Sequence, residues 1–220
     1  MGLAFQDQVL ALASGLLNGI LVSVIGIALG IAIGVPMGAL RHAGGPVGRW
    51  AVAIYVNGFR CTPVLVQIML LFYALPDLGI RLSARETAWL ALGLWGGAYQ
   101  AETFRAGFAA VPPHEIRAAR ALGLPALRTF LDITLPLGIR NALPAAATTA
   151  ITQFRTSSFM VVIGYQELTY AANRIVSETF QVAQVFGMAA LMYLSVSALI
   201  GLFSRRLELW LRVGGGGRAR

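Results

Sequence analysis

The sequence is poor in the residues that form disulfides and bind metals. It contains one cysteine, Cys61, and two histidines, His42 and His114, which are far apart in the chain. A single thiol cannot close a disulfide within the chain, and two distant histidines do not have the spacing of metal ligands. We therefore expect neither a disulfide framework nor a metal site.

Charged residues are also scarce. Only 12% of the 220 residues are charged, 57% are hydrophobic, and the mean hydropathy is +0.72. Soluble domains carry about 25% charged residues, so this composition indicates an integral membrane protein. The net charge of +8 does not indicate nucleic-acid binding, because the arginines are dispersed between apolar segments and are not gathered on one face with aromatic residues.

Five apolar segments predict an all-α, polytopic membrane protein. Its five transmembrane helices are expected at about residues 9–40, 51–75, 87–108, 145–164 and 182–203. No lysine or arginine precedes Arg41, so the amino terminus lacks the basic flank of a cleavable signal peptide, and we expect the first span to be retained.

The arginines predict the orientation of these spans. If the amino terminus is outside, Arg81, Arg85 and Arg174 are external, while most of the other arginines are cytoplasmic. Positive residues favour the cytoplasmic side, which predicts an N-out, C-in topology. We expect residues 1–213 to form one transmembrane domain and residues 214–220, which are rich in glycine, to form a flexible cytoplasmic tail.

The first two segments contain residues that are unusual in a membrane span. Gly26, Gly30 and Gly34 recur at four-residue spacing and would allow another helix to approach closely, although a membrane helix can also simply tolerate them. Arg60 and Pro63 lie in the middle of the second segment. The charge needs a partner or water there, and the proline should kink the helix.

The third and fourth segments carry polar groups at helical spacing. Glu102 and Arg105 are one turn apart and form either a local ion pair that fixes the helix end or a contact with substrate. The fourth segment has a polar helix face that consists of Thr148, Thr149, Thr152 and Thr156 with Arg155 alongside. This face either lines a substrate path or bonds its hydroxyls to the backbone of its own helix. Arg155 either faces this path or has a structural partner, which could be helix-end carbonyls, Glu102 or Glu167.

The stretch from residue 112 to residue 136, between the third and fourth segments, is too polar to cross a membrane. It predicts two short helices around a turn at Gly123, with Pro125 in the first turn of the second helix. Leu127, Phe130 and Leu131 would form an apolar ridge on that helix. Such a knob suits a groove on a partner protein.

This stretch resembles the EAA loop of the inner-membrane permease subunits of bacterial binding-protein-dependent ABC importers. The residues that carry the resemblance are Ala118, Ala119, Gly123, Ile133, Leu135 and Pro136. The alternative is a surface loop that contains these residues by chance. One position departs from the family, because Arg117 stands where glutamate is usual and the nearest carboxylate is Glu115.

Three further stretches are similar to permeases for polar amino acids. FRCTPVLVQ has Cys61 where glycine is usual, and GGAYQAETFRAGF follows the family pattern that leads into the EAA loop. FRTSSF stands where the family carries K/Q-D-T-S-L, with Arg155 for lysine or glutamine, Thr156 for aspartate and Ser157 for threonine. The missing aspartate removes an anion that would favour a cationic cargo.

The resemblance implies the permease subunit of an ATP-driven importer for a polar amino acid, acidic or neutral, in the bacterial inner membrane. No G-x-x-x-x-G-K-[ST] motif is present, so the chain is expected to have no catalytic residues and no bound cofactor, with ATP on a partner subunit. The implied partners are ATP-binding subunits, a second permease in a homodimer or heterodimer, a periplasmic solute-binding protein and membrane lipid. A stand-alone channel, a secondary transporter and a permease for another small solute are the alternatives.

Two sets of candidate site residues follow. The ATPase-coupling set comprises Glu115, Arg117, Ala118, Ala119, Gly123, Leu127, Ile133, Leu135 and Pro136. The substrate-path set comprises Arg60, Thr149, Thr152, Arg155, Thr156 and Ser157.

Overall fold

The computed structural model describes residues 4–213, so the predicted tail at residues 214–220 lies outside the described residues. Within that range every regular element is helical, which confirms the all-α prediction. The α-helices are α1 Phe5–Ala43, α2 Pro46–Cys61, α3 Val64–Met69, α4 Ala84–Ala109, α5 Pro113–Ala121, α6 Ala126–Thr129, α7 Leu135–Thr156, α8 Leu168–Thr179 and α9 Val182–Val213.

By length and composition, two of these helices can each cross a membrane. They are α1 and the stretch of α9 from Val182 to Trp210, and a third span results if α2 and the bent segment after it are counted together. The helices α4 and α7 occupy the positions of the third and fourth predicted spans and are long enough, but they are less apolar. Helices therefore occupy all five predicted segments, while the membrane topology itself stays a prediction.

The second predicted span is broken near its proline. The axes of α2 and the helical segment that follows it differ by 102°, which confirms the kink predicted at Pro63. The side chain of Gln67 lies under the break, where its Nε2 donates to the carbonyl oxygens of Phe59 at 2.8 Å and Thr62 at 2.9 Å. Gln67 thus pairs carbonyls at the end of α2 that lack helical N–H donors.

The glycines of α1 form its contact with α4. A Cβ at Gly26 would lie 2.6 Å from the Cβ of Leu92, and a Cβ at Gly34 would overlap Gln100. Gly30 is buried in the same face. These glycines therefore have a close-packing role and are not merely tolerated. The buried stripe extends beyond the predicted residues to Gly15, Gly19 and Gly38.

The predicted start of the fourth span is wrong. α7 begins at Leu135, with Pro136 in its first turn, and Pro144 lies inside the helix and not in its first turn. A proline inside a helix removes one N–H donor, but membrane helices tolerate this when their neighbours compensate. α6 continues through a wide π turn over Phe130–Thr134 into α7, so the coupling stretch and the fourth span are one connected helical segment.

Candidate coupling loop and substrate path

Two short helices and a left-handed turn form the predicted knob. α5 ends at Ala121, Gly123 has a φ of 81°, and α6 begins at Ala126. Glycine adopts this positive φ without the steric cost that a Cβ brings, so the turn predicted at Gly123 is confirmed. Pro125 immediately precedes α6 and does not lie in its first turn.

Large apolar side chains project from the knob. Leu122 is 83% exposed and Leu127 is 70% exposed. Phe130, which was predicted to belong to the outer ridge, instead packs inward against Phe108, with ring centroids 5.7 Å apart. The exposed ridge on the second half of the knob is therefore Leu127 with Leu131.

The residues of the ATPase-coupling set divide between the two sides of the knob. Ala119 is buried, and Leu135 packs with the cluster that contains Phe104 and Phe108. The members that are exposed are Glu115, Arg117, Ala118, Gly123 and Pro136, and Ile133 is half-buried. Ala119 and Leu135 thus pack within the chain, whereas the exposed members are positions that a partner could touch.

An aromatic cluster joins the knob to two other helices. Phe130, between α6 and α7, lies 5.7 Å from Phe108 of α4 and 6.4 Å from His42 of α1, measured between ring centroids. His42 also lies 6.0 Å from Phe108. The aromatic cluster therefore connects the knob to the ends of α1, α4 and α7.

Glu102 forms a charge cluster with two arginines. Its carboxylate pairs with Arg105, at 3.0 Å from Nε to Oε2, and with Arg41 of α1. The predicted local ion pair is confirmed, and the sequence did not indicate its second arginine. Between residues 4 and 213 no group of His, Cys, Asp and Glu side chains could hold a metal ion.

The threonines of α7 use their hydroxyls within the helix. Thr149 Oγ1 donates to the carbonyl of Ala145 at 3.1 Å, and Thr152 Oγ1 donates to that of Thr148 at 3.0 Å. This is the backbone-bonding alternative that the sequence left open. Two further path candidates, Thr156 and Ser157, are buried.

The two candidate arginines of the path have different surroundings. The guanidinium of Arg60 lies over the ring of Tyr99 on α4, with Cζ 5.1 Å from the ring centroid. Arg155 is exposed at the end of α7, beside α9, and forms no ion pair with any described residue. The carboxylates proposed as its structural partners are engaged elsewhere, Glu102 as described and Glu167 as follows.

Glu167 is a buried carboxylate whose role the sequence did not indicate. It caps α8, where Oε1 accepts from the N–H of Tyr170 at 2.8 Å and Oε2 accepts from the N–H of Thr169 at 2.9 Å. Oε2 also accepts from the hydroxyl of Tyr193 on α9 at 2.7 Å. Burial raises the pKa of Glu167, and these hydrogen bonds oppose the shift. The only signal of this capping role in the sequence is the position of Glu167 directly before the short helix.

A buried glutamine near the end of α7 bonds this helix to two neighbouring helices. Gln153 Nε2 donates to the carbonyl of Leu92 on α4 at 3.0 Å and to that of Gly26 on α1 at 3.2 Å. Gly96 provides the space, because a Cβ there would overlap the Gln153 amide. Gln153, which immediately precedes the FRTSSF stretch, is therefore a structural link between α1, α4 and α7.

Comparison with known proteins now identifies the family. Residues 10–213 match the family described as the binding-protein-dependent transport system inner membrane component. The chain belongs to this family.

Two named relatives and one solved structure agree with this assignment. The octopine transport system permease protein OccM of Rhizobium meliloti is 35% identical over 71% of this chain and 68% of its own length. The probable glutamine ABC transporter permease protein GlnP of Bacillus subtilis is 33% identical over 78% of this chain and 80% of its own length. The crystal structure of an amino acid ABC transporter with histidines contains a chain with a TM-score of 0.83 and 28% identity, and the match covers 94% of this chain and 100% of that one.

Proposed function

We propose that this chain is the permease subunit of an ATP-driven importer for a polar amino acid. The observation that carries the proposal is the exposed knob, which is built on the EAA signature and joined by Phe130 to α1 and α4. The relatives, which are named as permeases for glutamine and octopine, support an amino acid or a derivative as cargo. ATP is bound and hydrolysed by a partner, and this chain is not an enzyme.

The proposed assembly has ATP-binding subunits on the cytoplasmic side, a second permease beside this one, and a periplasmic solute-binding protein outside. It requires five spans in the bacterial inner membrane with the amino terminus outside, which places α5 and α6 in the cytoplasm. Leu122 and Leu127 then enter a cleft of the ATPase, flanked by the exposed Arg117. Each of the nine residues of the ATPase-coupling set either contacts the ATPase or supports the turn at Gly123.

The topology is tested by labelling single introduced cysteines with an impermeant thiol reagent in a background without Cys61. Cysteines at Ser83 and Gln166, both exposed, should react in intact cells, whereas those at Gly44 and Arg128 should be shielded until the membrane is opened. Gln166 is chosen because its neighbour Glu167 is fully buried. Reaction of Arg128→Cys from outside would place the knob on the wrong side for an ATPase.

The proposed translocation path runs along α7. Arg155 is its main candidate, because an exposed cation without an ion-pair partner is costly inside a membrane unless it meets water or an anion. The exposed Arg60 lies over the ring of Tyr99, and the half-exposed Thr149 and Thr152 donate their hydroxyls to their own backbone, so they contribute less to the path than Arg155. With Thr156 in the family's aspartate position, the path favours an acidic or neutral amino acid.

Two measurements test the function. Affinity purification of the chain from its native membrane should recover an ATP-binding subunit and, with cargo, a binding protein, whereas a channel or secondary transporter would be recovered without an ATPase. Uptake by the reconstituted complex is then compared for glutamate, glutamine and arginine. ATP-dependent uptake of glutamate or glutamine is expected, and uptake of arginine alone would contradict the proposed cargo class.

A further inference from the structure

A histidine at the carboxyl-terminal end of α1 contacts the two rings that anchor the knob. The ring of His42 lies 6.0 Å from that of Phe108 on α4 and 6.4 Å from that of Phe130 on the knob, measured between centroids. Phe108 and Phe130 meet edge to face at 5.7 Å. Of these three rings only the imidazole can take up a proton.

His42 lies beyond the predicted first span, which ends at about residue 40, whereas α1 continues to Ala43. α1 has 39 residues, and about 20 residues are enough to cross a bilayer, so this end of the helix can stand outside the hydrocarbon core. The side chain of His42 is half-buried and thus partly open to solvent. With the amino terminus outside, protons from the cytoplasm can reach the imidazole.

The carboxylates near His42 are already engaged with arginines. The charged side chains that flank the contacting rings on the same elements are Arg41 on α1, Glu102 and Arg105 on α4, and Arg128 and Asp132 on the knob. Glu102 is shared between Arg41 and Arg105, and Arg128 pairs with Asp132 at 4.0 Å. The two cations and one anion of the Glu102 cluster leave one net positive charge beside His42. A protonated His42 would add a second.

These surroundings favour the neutral imidazole. Partial burial lowers the pKa of His42, and the positive charge of Arg105 lowers it further. Histidine ordinarily titrates at about pH 6.5, so His42 is neutral at a neutral cytoplasmic pH and gains its proton when the cytoplasm becomes acidic. A phenylalanine ring attracts a cation mainly within about 6 Å of its centroid, and Phe108 and Phe130 lie at or beyond that distance. This attraction is therefore too weak to offset the lost hydration and the repulsion by Arg105.

The direction of the pKa change fixes the pH range in which the cluster is weakened. Because the packed state lowers the pKa of His42, it is stabilised above the ordinary titration range of histidine. That stabilisation is lost as the pH falls through the lowered pKa. Acidification therefore acts against the contact between α1 and the knob.

We propose that His42 is a pH-sensitive switch for the knob, in which the neutral imidazole packs against Phe108 and Phe130 and the protonated imidazole turns out toward the cytoplasm. The inference rests on the proposed role of the knob as the contact with the ATPase. Release of His42 removes the ring contact between α1 and the knob and leaves the contact of Phe130 with Phe108. A knob that is held less firmly binds the ATPase more weakly, because binding must then order it. Import slows when the cytoplasm becomes acidic.

The test is the Kd of the ATPase for the permease in nanodiscs, measured at about pH 7.5 and about pH 5.5, on either side of the ordinary histidine range. For wild type the Kd should rise by about fivefold or more at the lower pH, the lower end of typical coupling between two sites. His42→Phe keeps an aromatic ring in place but cannot be protonated, so it should lose most of this rise. His114→Gln is the matched control and should keep the rise, because it removes the only other histidine of the chain, which is exposed on α5.

Titration of the imidazole itself gives an independent readout. Permease with isotopically labelled histidine is reconstituted with unlabelled ATPase, and His114→Gln leaves the ring of His42 as its only labelled one. The titration midpoint by NMR should lie below about pH 6.5. A midpoint at or above that pH, a wild-type Kd that does not change with pH, or a full rise in Kd for His42→Phe would overturn the switch.

Two provisions keep the outcome decisive. If His42→Phe does not assemble with the ATPase, His42→Gln, which is also neutral at both pH values, takes its place. Failure of the wild-type permease to bind an ATPase at either pH would overturn the proposed function, and the NMR midpoint would still show whether the fold holds His42 neutral.

Discussion

Gly123→Asp should separate folding of the permease from its coupling to the ATPase. Gly123 has a φ of 81°, and a Cβ added there would meet no atom within 4 Å. The substitution therefore causes no clash within the chain, and its intramolecular cost is the left-handed backbone, about 1–2 kcal/mol for a residue with a Cβ. Aspartate enters this conformation more readily than most residues, so we expect a loss of about 1 kcal/mol in the free energy of unfolding and normal insertion.

The effect on docking should be larger. The new carboxylate would stand next to Leu122, which is 83% exposed and is proposed to enter the ATPase cleft. Leaving a charge buried and unpaired in an interface costs about 2–5 kcal/mol, which corresponds to a Kd raised by at least about thirtyfold. ATP-dependent uptake should fall accordingly, while the amount of permease in the membrane stays near that of wild type.

Gly123→Asn is the matched control, because asparagine has the size and backbone preference of aspartate without its charge. The Kd of the ATPase for each variant in nanodiscs, the thermal midpoint of the permease and uptake in cells are measured together. The asparagine variant should keep most of its affinity. If the aspartate variant binds the ATPase as tightly as the asparagine variant, the knob is not buried in that interface and its role as the coupling element is wrong.

Three further predictions concern other parts of the chain. Arg117→Glu, which restores the charge usual in the family, should change the Kd for the ATPase by about tenfold or more in either direction if this position lies in the interface, and an unchanged Kd would place it outside. Gly34→Ala should destabilise the permease by about 1–3 kcal/mol because α1 and α4 have no room for a Cβ, whereas Gly58→Ala, on an open helix surface, should be neutral or stabilising in the same detergent-unfolding assay. Because burial raises the pKa of Glu167, its contribution to stability is present at low pH and is lost as the pH rises from the ordinary carboxyl range through the raised pKa. Glu167→Gln should remove that pH dependence, and the exposed Glu178→Gln should leave it unchanged.

Local signals in the sequence account for the parts of the structure that could be predicted. Gly123 favours the end of a helix and Pro63 disfavours the continuation of one through their own backbone geometry, so both features appear where expected. The spacing of Glu102 and Arg105 likewise guarantees that they are neighbours on one helix. The sequence predicts the start of the fourth helix about ten residues too late, because Pro144 gives the same local signal as Pro63, yet the tertiary packing around Pro144 keeps the helix intact.

The polar groups inside the fold could not be predicted because their roles depend on contacts between distant segments. Gln153 reads as an ordinary polar residue in a helix, but it bonds to carbonyls on α1 and α4 and is accommodated by a glycine on α4. The same dependence distinguishes Ser197 from Ser195, which are two positions apart on α9 and equally unremarkable in sequence. Ser195 has its hydroxyl bonded to the preceding turn, whereas the buried hydroxyl of Ser197 has no hydrogen-bond partner among residues 4–213. Two serines on one helix thus differ in their hydrogen bonding only through what packs against each of them, and a single sequence does not record that packing.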